Sequence, residues 1–135
     1  MHMRTKGDVT FRALNKNGKL DPYEDPRRPI EEHIEDLLAQ MTLDEQAGLL
    51  FHDMISMGDD GSLGEGASMF GPFSTSELVA TRLINHVNVL RGGDPQLMAA
   101  WHNRLQELAE ATRLGIPYCA KTRLIAINPN GVAGM

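Results

Sequence analysis

Between residues 84 and 117 the spacing of apolar positions changes from a strand rhythm to a helix rhythm and back. Ile84, Val87, Val89 and Leu90 form a short, partly β-branched apolar run, which predicts a strand. Gly92-Gly93 ends the run, Asp94 can cap a following helix, and Pro95 suits its first position. Leu97, Met98, Trp101, Leu105, Leu108 and Thr112 then recur every three or four residues, which places them on one helical face. Gly115 suits the left-handed position after the last turn, and Ile116-Pro117 leads into extended chain. The stretch predicts a βαβ unit, and a parallel pair joined in this way lies in a sheet covered by helices.

Upstream, Ile30, Ile34, Leu37, Leu38 and Met41 predict an amphipathic helix with Glu31, Glu32, Glu35 and Asp36 facing outward. Its acidic first turn complements the helix dipole, and His33 lies beside the apolar stripe. Thr42 and Glu45 have the spacing of a capping box, so a second helix starts at once. Its expected buried face is Ala47, Leu50, Phe51 and Met54, with His52-Asp53 on the turn that leaves it. Residues 58–72 hold five glycines and little to bury, which predicts a flexible loop, either a lid or a disordered segment. Ser74 or Thr75 caps a short helix through Ala80, with Leu78 and Val79 inward. Tyr118–Ile127 reads as extended, most strand-like at Leu124–Ile127, and Asn128–Gly131 as a turn. Residues 4–28 show little periodicity. The expected architecture is therefore α/β: mostly helical, one βαβ unit in residues 30–135, and an irregular N-terminal arm over residues 1–29.

Composition narrows the function classes. The chain has 135 residues, enough for one domain with one core. A net charge of −5 with no basic stripe argues against nucleic acid, and Arg27-Arg28 reads as a solvated turn. No apolar run approaches the roughly 20 residues of a membrane helix. The polar start from Arg4 to Asp8 is unlike a secretory signal, and Met1-His2-Met3 resembles a cloning remnant, so the compartment stays open. Cys119 is the single cysteine, which excludes an internal disulfide.

Two groups of residues carry candidate chemistry. Laid on a twelve-residue calcium loop, residues 13–24 place Asn15, Asn17, Asp21 and Glu24 at ligand positions around Gly18. Ala13 stands where an aspartate is wanted, and the same residues also read as an Asn-Gly turn with a Pro-Tyr-Glu-Asp corner. Calcium here would be weakly held and structural. The second group is His52, Asp53, His86, His102 and Cys119, with Glu107 and Asp94 nearby in sequence. Histidine beside carboxylate suits acid–base work or zinc and manganese, and a cysteine can act as nucleophile. None of these residues has a recognised ligand spacing.

Three segments, taken in order, resemble the N-terminal part of family three glycoside hydrolases, the bacterial β-glucosidase-like enzymes. Phe11–Asp25 is similar to their N-terminal arm, Ile34–Gly48 to the helix pair opening their barrel, and Ile84–Pro117 to its first strand and helix. The resemblance implies a (β/α)8-type barrel followed by a second α/β domain, often in a periplasmic or secreted enzyme. It also implies retaining exo-hydrolysis of β-glycosides by a carboxylate nucleophile and a carboxyl acid/base. The family's Ser-Asp-Trp nucleophile motif is absent, and Tyr118–Leu124 stands where an Asp-Pro-Arg sugar-binding motif is expected. The tail over residues 118–135 thus departs from the family. A barrel of this kind takes roughly 250 residues.

Three readings follow. The chain is a truncated glycosidase without catalytic carboxylates, inert alone and self-associating through open sheet edges. Alternatively it is a small, metal-dependent hydrolase with a site formed from the His, Asp and Cys residues above, the leading candidates being His52, Asp53 and His86. A third possibility is a non-catalytic interaction module stabilised by calcium.

Overall fold

The computed structural model describes residues 3–65, 72–90 and 93–122, with the side chains of 121 and 122 left out. Its first element corrects the irregular arm. Met3–Lys6 (β1) and Val9–Arg12 (β2) pair antiparallel, with Lys6 opposite Val9. Gly7-Asp8 makes the two-residue turn, and Gly7 takes φ +65°, the positive value such a hairpin needs. Val9 and Phe11 are buried while Thr10 and Arg12 are exposed, so β2 has one packed face. With only two inward apolar residues, the hairpin leaves almost no periodic signal.

After a single 3-10 turn at Pro22–Glu24 come Ile30–Gln40 (α1) and Leu43–Leu50 (α2). Both helices start where the pattern predicts them. The capping box is real: Thr42 N–H donates to Glu45 Oε2 at 2.9 Å, and Glu45 N–H to Thr42 Oγ1 at 3.3 Å. The expected burial is not. No residue of α1 is buried, and Ile30 and Ile34 remain 62 % and 51 % exposed. In α2 the inward positions are Glu45 and Gly48, while Leu50 and Phe51 are 88 % and 66 % exposed. The apolar spacing marks a face that wants cover, and among the described residues nothing large covers it.

The second helix also ends earlier than its apolar spacing predicts. His52–Ile55 is a strand (β3), and it pairs in parallel with His86–Val89 (β4). Cys119–Thr122 (β5) lies on the other side of β4, giving a three-stranded parallel sheet in the order β3-β4-β5. Thr75–Ala80 (α3) and Pro95–Ala111 (α4) are the crossovers, so the chain holds two consecutive βαβ steps rather than one. Both are capped as the sequence predicts. Glu77 N–H donates to Ser74 Oγ at 3.1 Å, and Gln96 N–H to Asp94 Oδ1 at 2.8 Å. The start of the glycine-rich loop is tied down: Gly58 N–H donates to Ser62 O at 3.0 Å, and Leu63 packs on the core. Residues 66–71, Gly92, the strand-like Leu124–Ile127 and the turn at Asn128–Gly131 lie outside the described residues.

The core sits on one side of this sheet. Ile55, Val87 and Val89 meet Leu78 and Val79 of α3 and Trp101, Leu105 and Ala109 of α4. Trp101 and Leu105 are fully buried, one turn apart on the predicted face. Three close contacts then brace the periphery. Leu83 adopts φ +60°, and a Cβ on Gly48 would stand 2.4 Å from the Leu83 carbonyl oxygen, so α2 packs backbone to backbone there. Gly115 has φ +58°, and a Cβ on it would lie 2.9 Å from Leu14 O, which docks the arm under the end of α4. Arg113 grips Glu45 through both guanidinium edges, Nε donating to Oε1 at 3.0 Å, and donates to Gln40 O at 2.8 Å.

These braces can be tested by substitution and by pH. Gly48→Ala and Gly115→Ala force backbone to move, and each should lower unfolding stability by about 2 kcal/mol in chemical denaturation. Asp25 is held down to about 2, first by its hydrogen bonds from Arg27, and Glu45 is held below its usual range, first by Arg113. The native chain thus binds fewer protons than the unfolded one. This stability is complete above about pH 5 and is lost as pH falls through the native values. Melting temperature should drop between about pH 5 and 2.5, and Glu45→Gln should flatten part of that slope.

Candidate functional site

The proposed calcium residues do come together, bound to one another. Asn15 Nδ2 and Asn17 Nδ2 each donate to Asp21 Oδ2 at 2.6 Å. Asn15 Oδ1 accepts from Asn17 N–H at 3.1 Å, and Asn17 Oδ1 from Lys19 N–H at 2.7 Å. Glu24 is buried, and its Oε1 accepts from Leu14 N–H at 2.6 Å and Asn15 N–H at 3.2 Å. Lys16 at φ +61° and Gly18 at φ +76° supply the left-handed bends that close the loop. Each of the four side chains therefore has an oxygen turned onto a donor of the loop itself. The arrangement holds itself together through its own hydrogen bonds.

The second candidate group divides along the sheet. His52, His86 and Cys119 are the first residues of β3, β4 and β5, and they are register partners: His52 faces His86, and His86 faces Cys119. Register partners on neighbouring strands project to the same face, and here all three are exposed. Asp53 is placed on the opposite, helix-covered face, in register with buried Val87 and half-buried Ala120. The expected His52–Asp53 neighbours thus leave opposite sides of a strand rather than a helix turn. Asp53 Oδ1 accepts the next backbone N–H, that of Met54, at 2.7 Å. Among the described residues, no group of three or more His, Cys, Asp or Glu side chains could hold a metal ion.

The remaining candidates stand apart. Asp94 is occupied as the α4 cap, accepting also from Leu97 N–H at 3.3 Å. His102 lies edge-on to Trp101, with ring centres 4.9 Å apart. Glu107 borders a shallow pocket beside Lys16 and Glu110, and Glu110 pairs with Arg12 at 2.9 Å. An open groove of about 580 Å³ runs between α2 and α3, lined by Phe51, Phe73, Leu78, Leu83, Asp44 and Asp53. Arg82 covers one wall, its guanidinium carbon 3.5 Å from the centre of the Phe73 ring.

Sequence reasoning missed the residue that holds the row in place. Asn85 is buried, donates its amide to Ile116 O at 2.8 Å, and accepts through its backbone oxygen from Cys119 N–H at 2.8 Å. It staples the start of β5 to the start of β4. A polar residue just ahead of an apolar strand was the available signal.

Comparison with known proteins adds relatives. No family model matches the chain. A periplasmic β-glucosidase/β-xylosidase of Dickeya chrysanthemi is 41 % identical over 119 residues, covering 87 % of this chain and 18 % of that protein. A probable β-glucosidase C of Aspergillus oryzae is 36 % identical over 115 residues, and β-glucosidase C of Emericella nidulans 33 % over 112, each covered for 17 % of its length. The chain spans less than one fifth of the length of the curated relatives it matches. Over most of its own length, then, this chain is similar to part of these β-glucosidases.

Proposed function

We propose that this 135-residue chain is a portion of a β-glycoside hydrolase that cannot hydrolyse glycosides by itself and associates with further copies. The observation that carries the reading is the length of the match: strong identity to β-glucosidases over most of the chain, but over less than a fifth of theirs. The parallel β3-β4-β5 sheet, with both crossovers on one face, supports the reading of an incomplete (β/α)8-type barrel. A retaining glycosidase needs two carboxyl groups about 5 Å apart across the scissile bond, with walls that enclose the sugar. Three strands with one uncovered face supply no such enclosure. Leu43, Leu50, Phe51 and the α1 stripe leave apolar surface that a soluble chain covers by association.

Two measurements test this. With a chromogenic β-glucoside, the pure chain should show no turnover above buffer, and mass in solution should exceed one copy at micromolar concentration. A monomer that cleaves the substrate overturns both halves. A monomer without activity removes the association alone.

The calcium loop is a separate proposal with its own test. The four residues Asn15, Asn17, Asp21 and Glu24 are assembled, but a cation must displace the amide donors on Asp21. The expected shift in melting temperature on adding millimolar calcium is about 1 °C or less. A rise of several degrees that a chelator reverses, and that Asp21→Asn removes, would establish a bound ion.

A further inference from the structure

We propose that Gln106 and Asp53 close the two free edges of the parallel sheet by standing in for neighbouring strands, and so keep a second copy of the chain from pairing there. The inference is independent of any glycoside chemistry. In the order β3-β4-β5, β3 and β5 each have one edge that no described strand covers. An edge of that kind offers unpaired N–H and C=O groups to an extended chain, and a second copy brings the same edge at the same concentration.

The ladder shows which groups face outward. Along a parallel strand, the backbone groups of successive residues turn to opposite edges. Leu90 N–H donates to Ile55 O at 3.0 Å, so Ile55 and Asp53 turn toward β4 and Met54 between them turns away. Cys119 N–H donates to Asn85 O at 2.8 Å, so Cys119 also turns toward β4. Tyr118 and Ala120, on either side of it, turn outward.

Tyr118 and Met54 are already held. Gln106 of α4 accepts from Tyr118 N–H through Oε1 at 3.2 Å and donates to Tyr118 O through Nε2 at 2.7 Å. One amide thereby makes both bonds that a facing strand makes with a paired residue. Leu105 and Ala109 of the same helix are fully buried, which fixes the turn from which Gln106 reaches. A partner entering from the start of β5 must first displace it. On β3, Asp53 Oδ1 accepts from Met54 N–H at 2.7 Å, so the outward donor inside the strand meets a carboxylate. An incoming strand must push that carboxylate aside and dehydrate it. Past the strand, the backbone of Gly64 lies against Ser56 O, where a Cβ would stand 2.6 Å from the oxygen. The association proposed above then leaves the strands unpaired.

The test uses the full chain and its variants, each checked for folding by circular dichroism. In wild type the Tyr118 and Met54 amides should exchange slowly with deuterium, and the infrared spectrum should lack the band of intermolecular sheet. Gln106→Met removes both bonds and should speed Tyr118 exchange by about fivefold or more. Gln106→Glu keeps the acceptor and should hold that amide near the wild-type rate. A chain carrying both Gln106→Met and Asp53→Ala should form larger particles that show the intermolecular band. Glu107→Ala, exposed on the same helix, should match wild type. The proposal is overturned if wild type already shows the band, or if the folded double variant keeps the wild-type mass and spectrum. Faster exchange without strand pairing overturns it as well, since the glutamine is then a local brace only. Where the double variant does not fold, Asp53→Ala alone decides: a weaker form of the band supports edge closure, and its absence overturns it. A larger wild-type mass without the band supports closed edges, and so does a wild-type monomer, which removes only the association proposed above.

Discussion

Among the described residues, the main hydrophobic core packs on one side of a parallel sheet. Val87, Val89 and Ile55 give the sheet its inward face, and Trp101, Leu105, Leu78 and Val79 close over it. Two successive strand–helix–strand steps of the same hand put both crossover helices on that side. The other face is left with His52, Met54, His86, Asn88 and Cys119. Among the described residues the sheet is covered on one face, whereas parallel strands ordinarily sit between two layers. The arm and α1–α2 do not supply the second layer. They wrap the edge of the first one, tied by the Arg113–Glu45 pair and by the contact of Gly115 with Leu14.

That one-sidedness explains which features the residue pattern discloses. Helix α4 is legible from sequence because its caps, its apolar face and its glycine stop agree, and local and tertiary preferences point the same way. Helix α3 and the capping box of α2 are legible for the same reason. Strand β3 is not. Ala47, Leu50, Phe51 and Met54 keep a helical spacing, while the strand offers four residues and a polar beginning. Sheet pairing with β4 decides the conformation there, an influence from residues more than thirty positions away. The α1 stripe fails differently. Its periodicity is correct and the helix forms, but periodicity says which face is apolar and nothing about what lies against it.

The visibility of the candidate site depends on that same strand. With β3 read as the tail of a helix, His52 has no neighbour and the histidines look scattered. Once β3 is a strand, His52, His86 and Cys119 align, and Asp53 departs to the other face. Metal-binding or catalytic geometry in a sheet is a property of register, which one sequence cannot show unless every strand is recognised. The arm loop is the converse. Its spacing of Asn15, Asn17, Gly18, Asp21 and Glu24 is local, so the sequence discloses the assembled shape directly.

The bare corner at Leu50 and Phe51 bears on how the chain behaves in the cold room as much as in the cell. The pull between uncovered apolar surfaces is largely entropic near room temperature and weakens on cooling. If copies associate through this corner as proposed, the contact weakens on cooling and tightens on warming with no unfolding.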